Sequence, residues 1–244
     1  MSIYDAADLY DEQYRRYRDD IPHYLRLAAD HGGPVLEVGA GTGRLCIALA
    51  RAGHEVVGID SSPQMLERGR QNAAREGVEL RLEQGDMRDF ELEARFPLVV
   101  AAFNTLMHLH TLDDQDRALG RLRSHLEPGG AFAFDLFLPD FGQLGVLRSE
   151  AEWADVAGEQ AELLLVQEHD PLSQTIQSRY LLDTVGEDGL LRRRTATLSQ
   201  RYYTRFEITR ALRHAGFTRL ELFGGFDRTP LRPDSRHLVG VARI

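Results

Sequence analysis

Three glycines at alternate positions, Gly39, Gly41 and Gly43, follow the apolar run Val35-Leu36-Glu37-Val38 in the stretch VLEVGAGTGRL. Glycine leaves no side chain in the way of a ligand and reaches backbone angles that other residues avoid. Where such a run passes from a strand into a helix, the free N–H groups of the first helical turn add a partly positive rim. The chemistry is that of a ligand lying against backbone. Asp60 closes the second apolar run, 21 residues after Gly39. A carboxylate there can accept both hydroxyls of a ribose. A third acid, Asp86, stands in GDMRDF. It can accept an adenine amino group while Met87 gives the ring an apolar wall. The usual dinucleotide fingerprint is GxGxxG. Here the last spacing is one residue short, which tilts the reading away from NAD and toward another adenosine ligand.

Other residues suit a reacting partner. His108 and His110 bracket Leu109, so one can face inward and the other outward. Histidine changes charge near neutral pH and can hold or take a proton. Asp135 ends the fifth apolar run, where α/β folds gather ligand contacts. The single cysteine, Cys46, sits in an apolar helix pattern and reads as a buried core thiol. The histidines are scattered, with no HxxxH and no cysteine partners, so no metal site is expected.

The elements that would hold these residues alternate at short spacing. Helical patterns over 6–30, 44–52, 63–76, 113–126 and 205–215 are interleaved with strands over 34–38, 55–59, 78–83, 97–102, 131–136, 219–223 and 237–242. The strands from 34 to 136 lack a polar face, as in a parallel sheet covered on both sides. Serine followed by proline at residues 62 and 63 is a helix start. Between the fifth strand and the last helix the pattern changes to an antiparallel meander over 162–169, 175–185 and 191–203. The expected division is an N-terminal helical cap over 1–33, a core over 34–149 and 204–244, and a β insertion over 150–203. That insertion is a lid over the reacting partner or a dimer edge.

The chain of 244 residues carries a formal net charge of −9, and all 29 of its cations are arginine. An acidic protein repels phosphate backbones. The basic run Arg192-Arg193-Arg194 reads as a solvated hairpin edge. No apolar run reaches the ~18 residues of a membrane span, and the polar N-terminus does not resemble a signal peptide. The expectation is a cytoplasmic protein, monomeric or homodimeric, with no nucleic acid or membrane partner.

Five stretches, VLEVGAGTGRL, VVGIDSSPQML, GDMRDF, FPLVVAAFNTLMHL and LEPGGAFAFDLF, follow in the order and spacing of class I S-adenosylmethionine-dependent methyltransferases. The chain resembles that family closely over 35–137. The resemblance implies a Rossmann-like, mostly parallel seven-stranded sheet with a reversed C-terminal hairpin. It places Glu37, Gly39, Gly41 and Thr42 at the methionine part of the cofactor, Ala40 among the cofactor-binding residues, and Asp60 at the ribose. Ser61, Asp86 and Met87 fall at the adenine, Phe103 and Asn104 beside the sulfonium, and Met65 is a further cofactor-binding position. S-adenosylhomocysteine would be the product.

Within the class, the sequence looks most like small-molecule N-methyltransferases such as the N,N-dimethyltransferases of deoxy-amino sugars. The shared marks are an N-terminal LYD…Y helix, GDMRDF, Met107-His108-Leu109, and the run from Tyr203-Thr204 to Ala215-Gly216-Phe217. In such enzymes N-terminal tyrosines reach the cofactor's carboxylate and the histidine faces the substrate. This implies Tyr10 and Tyr17 for the cofactor and His108 as the catalytic residue. Tyr14, Asp135, Arg179 and Tyr180 are candidates for the small-molecule methyl acceptor. Where many relatives carry an acid–histidine pair, this chain reads Thr197-Leu198. The reading is methyl transfer to a nitrogen, or an oxygen, of a small molecule by in-line displacement; the other readings are a methyltransferase of peptides or RNA, an NAD-dependent oxidoreductase, and a cofactor-binding scaffold without turnover.

Overall fold

The structure is a computed structural model, and it describes residues 2–5, 7–14, 17–154, 160–186 and 188–244. The chain divides into two units, each described by itself. One comprises Arg16–Pro139 and Tyr202–Ile244, the other Met1–Arg15 and Asp140–Arg201.

In chain order the elements are α1 (Ala7–Tyr14), α2 (Ile21–His31), β1 (Val35–Val38), α3 (Arg44–Arg51), β2 (Val56–Asp60), α4 (Pro63–Glu76), β3 (Arg81–Gln84), β4 (Phe96–Ala101), α5 (Leu112–Ser124) and β5 (Leu126–Phe137). There follow β6 (Arg148–Ala154), β7 (Gln160–Asp170), β8 (Thr175–Val185), β9 (Leu191–Arg201), α6 (Arg205–His214), β10 (Arg219–Phe223) and β11 (His237–Arg243). In the larger unit seven strands form one sheet in the order β10-β11-β5-β4-β1-β2-β3. The pairs β1–β2, β2–β3, β1–β4 and β4–β5 are parallel, and β11 runs antiparallel to both β5 and β10. This is the Rossmann-like sheet with a reversed final hairpin.

Strand side chains alternate between two cores. Leu36, Val38, Val99, Phe132 and Phe134 pack with buried residues of α5 and α6. Val35, Leu98, Val100, Ala131 and Ala133 pack with Tyr24, Leu27 and Cys46 on the other face. The helices start where the sequence offers caps. Ser62 Oγ accepts the Met65 N–H, Thr111 Oγ1 accepts the Asp114 N–H, and Thr204 with Glu207 forms a reciprocal capping box.

The smaller unit is a four-stranded antiparallel sheet in the order β6-β7-β8-β9. Leu163, Leu165, Tyr180, Leu182, Ala196 and Leu198 on one face bury Ile3, with Tyr4 and Tyr10 packed against them.

Three differences from the sequence reading have local causes. The single helix expected over 6–30 is two, because Pro22 lacks the N–H a continuing helix needs and sits in the first turn of α2. Its first half, α1, groups with the meander rather than with the parallel sheet. The Glu127-Pro128-Gly129-Gly130 segment, which follows the helix expected over 113–126, lies inside the long β5, whose register against β4 shifts between Phe96 and Leu98. Gly129 accommodates the kink at φ 80°. The strand β6 had no counterpart in the sequence reading.

Candidate functional site

The carboxyl ends of β1, β2, β4 and β5 carry most of the chemistry. After β1 the backbone enters the left-handed region at Gly39, φ 70°, and again at Gly41, φ 56°. At Gly39 a side chain has no room: a Cβ would lie 2.5 Å from Thr105 Oγ1. The loop is tied to β2, since the Ala40 N–H donates to the Ile59 carbonyl at 2.9 Å. Asp60 completes the tie. Its Oδ2 accepts the Gly41 N–H and its Oδ1 the Ser62 N–H, each at 2.8 Å. Burial pushes its pKa up, and those two bonds pull it back. Each carboxylate oxygen has a second lone pair, so Asp60 retains acceptor capacity. Met65 and Thr42 are buried beside the loop, and Ser61 is exposed. The Thr42 carbonyl accepts the Asn72 amide at 3.2 Å.

Glu37 points to the α3 face of the sheet and is 4% exposed. The Cys46 thiol donates to its Oε2 at 2.8 Å. Burial raises the Glu37 pKa to about 7, opposed by the thiol hydrogen bond and by Arg44. Cys46 is thus a core thiol, as expected, and also a donor to a site carboxylate.

Asp86 follows β3 and is engaged by Arg88. Its Oδ1 accepts the Arg88 N–H and Nε–H, its Oδ2 the Nη2–H. The Arg88 Nη1 reaches Asp114 at 2.9 Å. The guanidinium holds the Asp86 carboxyl below its usual range. Met87 is half-buried against the core. Asp86, expected to accept an adenine amino group, is therefore an anion held closely by Arg88, a partner that the sequence reading missed.

After β4, Phe103 and Asn104 both take positive φ. The Asn104 Oδ1 accepts the Phe137 N–H at 2.6 Å. Asp135 Oδ1 accepts the Phe103 N–H at 2.8 Å and the Tyr24 hydroxyl at 2.5 Å. His108 ends a 3-10 turn, Thr105–His108. Desolvation, with His110 adding to it, pulls its pKa down to about 4. His110 itself is exposed.

The Tyr17 and Phe103 rings meet at a tilt of 50°, centroids 5.0 Å apart, and the Arg44 guanidinium lies 5.3 Å and 5.1 Å from the two rings. Arg44 in turn makes a two-pronged pair with the fully buried Asp20, at 2.7 Å and 2.5 Å. Arg44, Asp20 and Tyr24 were not among the site residues expected from the sequence. The available signals were the arginine directly after the last glycine and the spacing of four between Asp20 and Tyr24.

The remaining candidates belong to the smaller unit. Tyr10 and Tyr14 are ring neighbours at 4.8 Å, and the Tyr14 and Tyr180 hydroxyls are 3.4 Å apart. Arg179 is exposed, on the face of β8 opposite the buried Tyr180. One small molecule cannot touch both Arg179 and Tyr180 through a single sheet face.

Residues 35–130 match a family model described as a methyltransferase domain. A solved methyltransferase, CcbJ of Streptomyces caelestis, is 30% identical and superposes with a TM-score of 0.79, covering 93% of this chain and 90% of its own. The chain belongs to the S-adenosylmethionine-dependent methyltransferases. Among curated relatives, the dTDP-3-amino-3,4,6-trideoxy-alpha-D-glucopyranose N,N-dimethyltransferase of Streptomyces venezuelae is 31% identical over 133 residues, 52% of this chain and 54% of that protein. The cypemycin N-terminal methyltransferase of a Streptomyces species is 36% identical over 107 residues, 43% of this chain and 42% of that one. The chain spans about half the length of the curated relatives it matches. The methyltransferase cofactor fits the residues present: a glycine loop open to close approach, buried carboxylates with acceptor capacity, and one anion positioned after β3.

Proposed function

We propose that the protein transfers a methyl group from S-adenosylmethionine to a nitrogen of a small-molecule amine. The observation that carries the reading is Asp60 bonded against the glycine loop, which puts a ribose-type acceptor and a side-chain-free backbone at one carboxyl edge. Relatives named as an amino-sugar N,N-dimethyltransferase and as an N-terminal methyltransferase support nitrogen over oxygen.

When bound, S-adenosylmethionine supplies a methyl group already activated by its sulfonium. The protein has to bind, orient and exclude water. Glu37, Gly39, Ala40, Gly41, Thr42 and Tyr17 are assigned to the methionine end, and Asp60 to the ribose. Ser61, Met65, Asp86 and Met87 are assigned to the adenine, and Phe103 and Asn104 to the methyl-bearing end. His108, with a pKa of about 4, is neutral at pH 7. It is too weak a base to take a proton from an alkylammonium, whose pKa is about 10. Its assigned role is to accept an N–H of the neutral amine and aim its lone pair.

The test is incubation with methyl-labelled S-adenosylmethionine and separate pools of amine-bearing small molecules (nucleotide-linked amino sugars among them), peptides and RNA. Label in a small-molecule amine is the expected outcome. Label confined to RNA, or to a hydroxyl of the product, overturns the reading.

A further inference from the structure

Two consecutive non-glycine residues, Phe103 at φ 56° and Asn104 at φ 66°, hold left-handed backbone. That region is sparsely populated for a bulky side chain and persists where the surroundings over-determine it. Here the surroundings are explicit. Asp135 Oδ1 accepts the Phe103 N–H, Asn104 Oδ1 accepts the Phe137 N–H, and the Thr105 hydroxyl donates to the Ala102 carbonyl. Asp135 is 1% exposed, and the same Oδ1 also takes the Tyr24 hydroxyl.

Tyr24 and Asp20 stand one turn apart at the start of α2, so they share a helix face. Asp20 grips Arg44 at the first residue of α3, directly behind the glycine loop. Tyr24 grips Asp135 and, through it, the turn after β4. The first turn of α2 therefore fastens two segments of the site at once. Arg44 links the two ties, because its guanidinium also lies over the Phe103 ring.

We propose that Tyr24 and Asp135 are positioning residues, whose shared hydrogen bond holds the Phe103 and Asn104 turn in the shape that receives the reactive end of the methyl donor. The proposal rests on the methyl-donor reading of the site given above. Charge matters to it, because hydrogen bonds to an ionised carboxylate are about twice as strong as neutral ones. Burial raises the Asp135 pKa to about 6, and Asp20 from the N-terminus of α2 pushes the same way. The Tyr24 hydroxyl, the Phe103 N–H and Arg44 of α3 pull it down. Tyr17, ahead of α2, feels the same carboxylate. As pH falls through about 6, Asp135 takes a proton, its grip on the Phe103 N–H weakens, and the turn loosens.

The experiment is calorimetric titration of the full chain with S-adenosylhomocysteine from pH 5 to pH 8, for wild type, Tyr24→Phe and Asp135→Asn. Both substitutions conserve volume, and thermal melting at each pH follows the fold. Wild-type affinity should drop about tenfold from pH 7 to pH 5, the weight of one charge-assisted hydrogen bond. Tyr24→Phe removes a bond that lowers the Asp135 pKa, so its midpoint should move to higher pH. Asp135→Asn should bind about tenfold more weakly at pH 7 and lose that step. Glu37 titrates in the same window and is common to all three proteins, so the comparison isolates Asp135. Variants that bind as wild type with an unmoved midpoint overturn the proposal. So does a lower melting temperature at every pH with binding unchanged, the mark of a purely structural pair. Wild type that fails to bind at any pH overturns the donor reading itself, a distinguishable result.

Discussion

Glu37 shows how a single site residue can cost stability. In the unfolded chain a glutamate ionises near its ordinary value of about 4.3. In the folded protein burial raises that to about 7. Between those values the folded state binds the extra proton, so this residue's effect on stability becomes less favourable as pH rises through the window. The ceiling is about 3.5 kcal/mol. Glu37→Gln keeps an oxygen for the Cys46 thiol and removes the charge. It should melt higher than wild type at pH 8, by several degrees, and equally near pH 4.5, while binding S-adenosylhomocysteine more weakly; scanning calorimetry and titration check both. His108 has the opposite shift, down to about 4. The unfolded state binds the extra proton between about 4 and 6.5, so its effect on stability becomes more favourable as pH rises through that window. Once labelling identifies the acceptor, His108→Ala should raise its KM about tenfold, as for one lost hydrogen bond. His108→Gln, which keeps an acceptor, should recover part of the loss.

At the scale of elements, the turn after β1 and the turn after β4 are packed into each other. Gly39→Ala forces a Cβ into left-handed backbone and to 2.5 Å from Thr105 Oγ1. A cost of about 2–4 kcal/mol is expected from strain and overpacking together. Adding Thr105→Ala should return a portion, since it removes the two nearest atoms but not the backbone strain; denaturant midpoints measure both. Arg44→Ala strands the buried Asp20 charge and should cost about 3–5 kcal/mol. The double variant with Asp20→Asn should recover some of that. These couplings mark what the sequence conceals. Glycine spacing, apolar runs and caps are local, and from them the sheet, its helices and the residues at strand ends were legible. Glu37 is met by Cys46, 9 residues on, and Asp135 by Tyr24, 111 residues away, while Arg88, two residues from Asp86, is tied in turn to Asp114, 26 residues further along. Except for the near neighbour Arg88, such pairings depend on how helices cross the sheet, which one sequence does not spell out. The break before α2 was legible in principle, in Pro22, and the strand β6 carried no alternation clear enough to separate it from loop.

For the whole molecule the deciding quantity is charge. The net value of −9 opposes a polyanion unless cations gather into an uncompensated patch. The densest basic run does not supply one: Arg193 is paired in two-pronged fashion with Asp183 and Arg192 with Asp188. Both arginines are exposed, so each pair adds little to stability, yet each cancels the field a phosphate backbone would meet. Binding to RNA, read by gel shift at about 50 mM salt, should be absent, and added RNA should leave the melting temperature unchanged. S-adenosylhomocysteine at about 100 times its Kd should add about 2.7 kcal/mol by mass action. For a chain of this size that is a rise of roughly 5–10 °C. A rise with RNA and none with the nucleoside would mean that the arginine pairs open for phosphate, and that the acidic surface had misled the choice of acceptor.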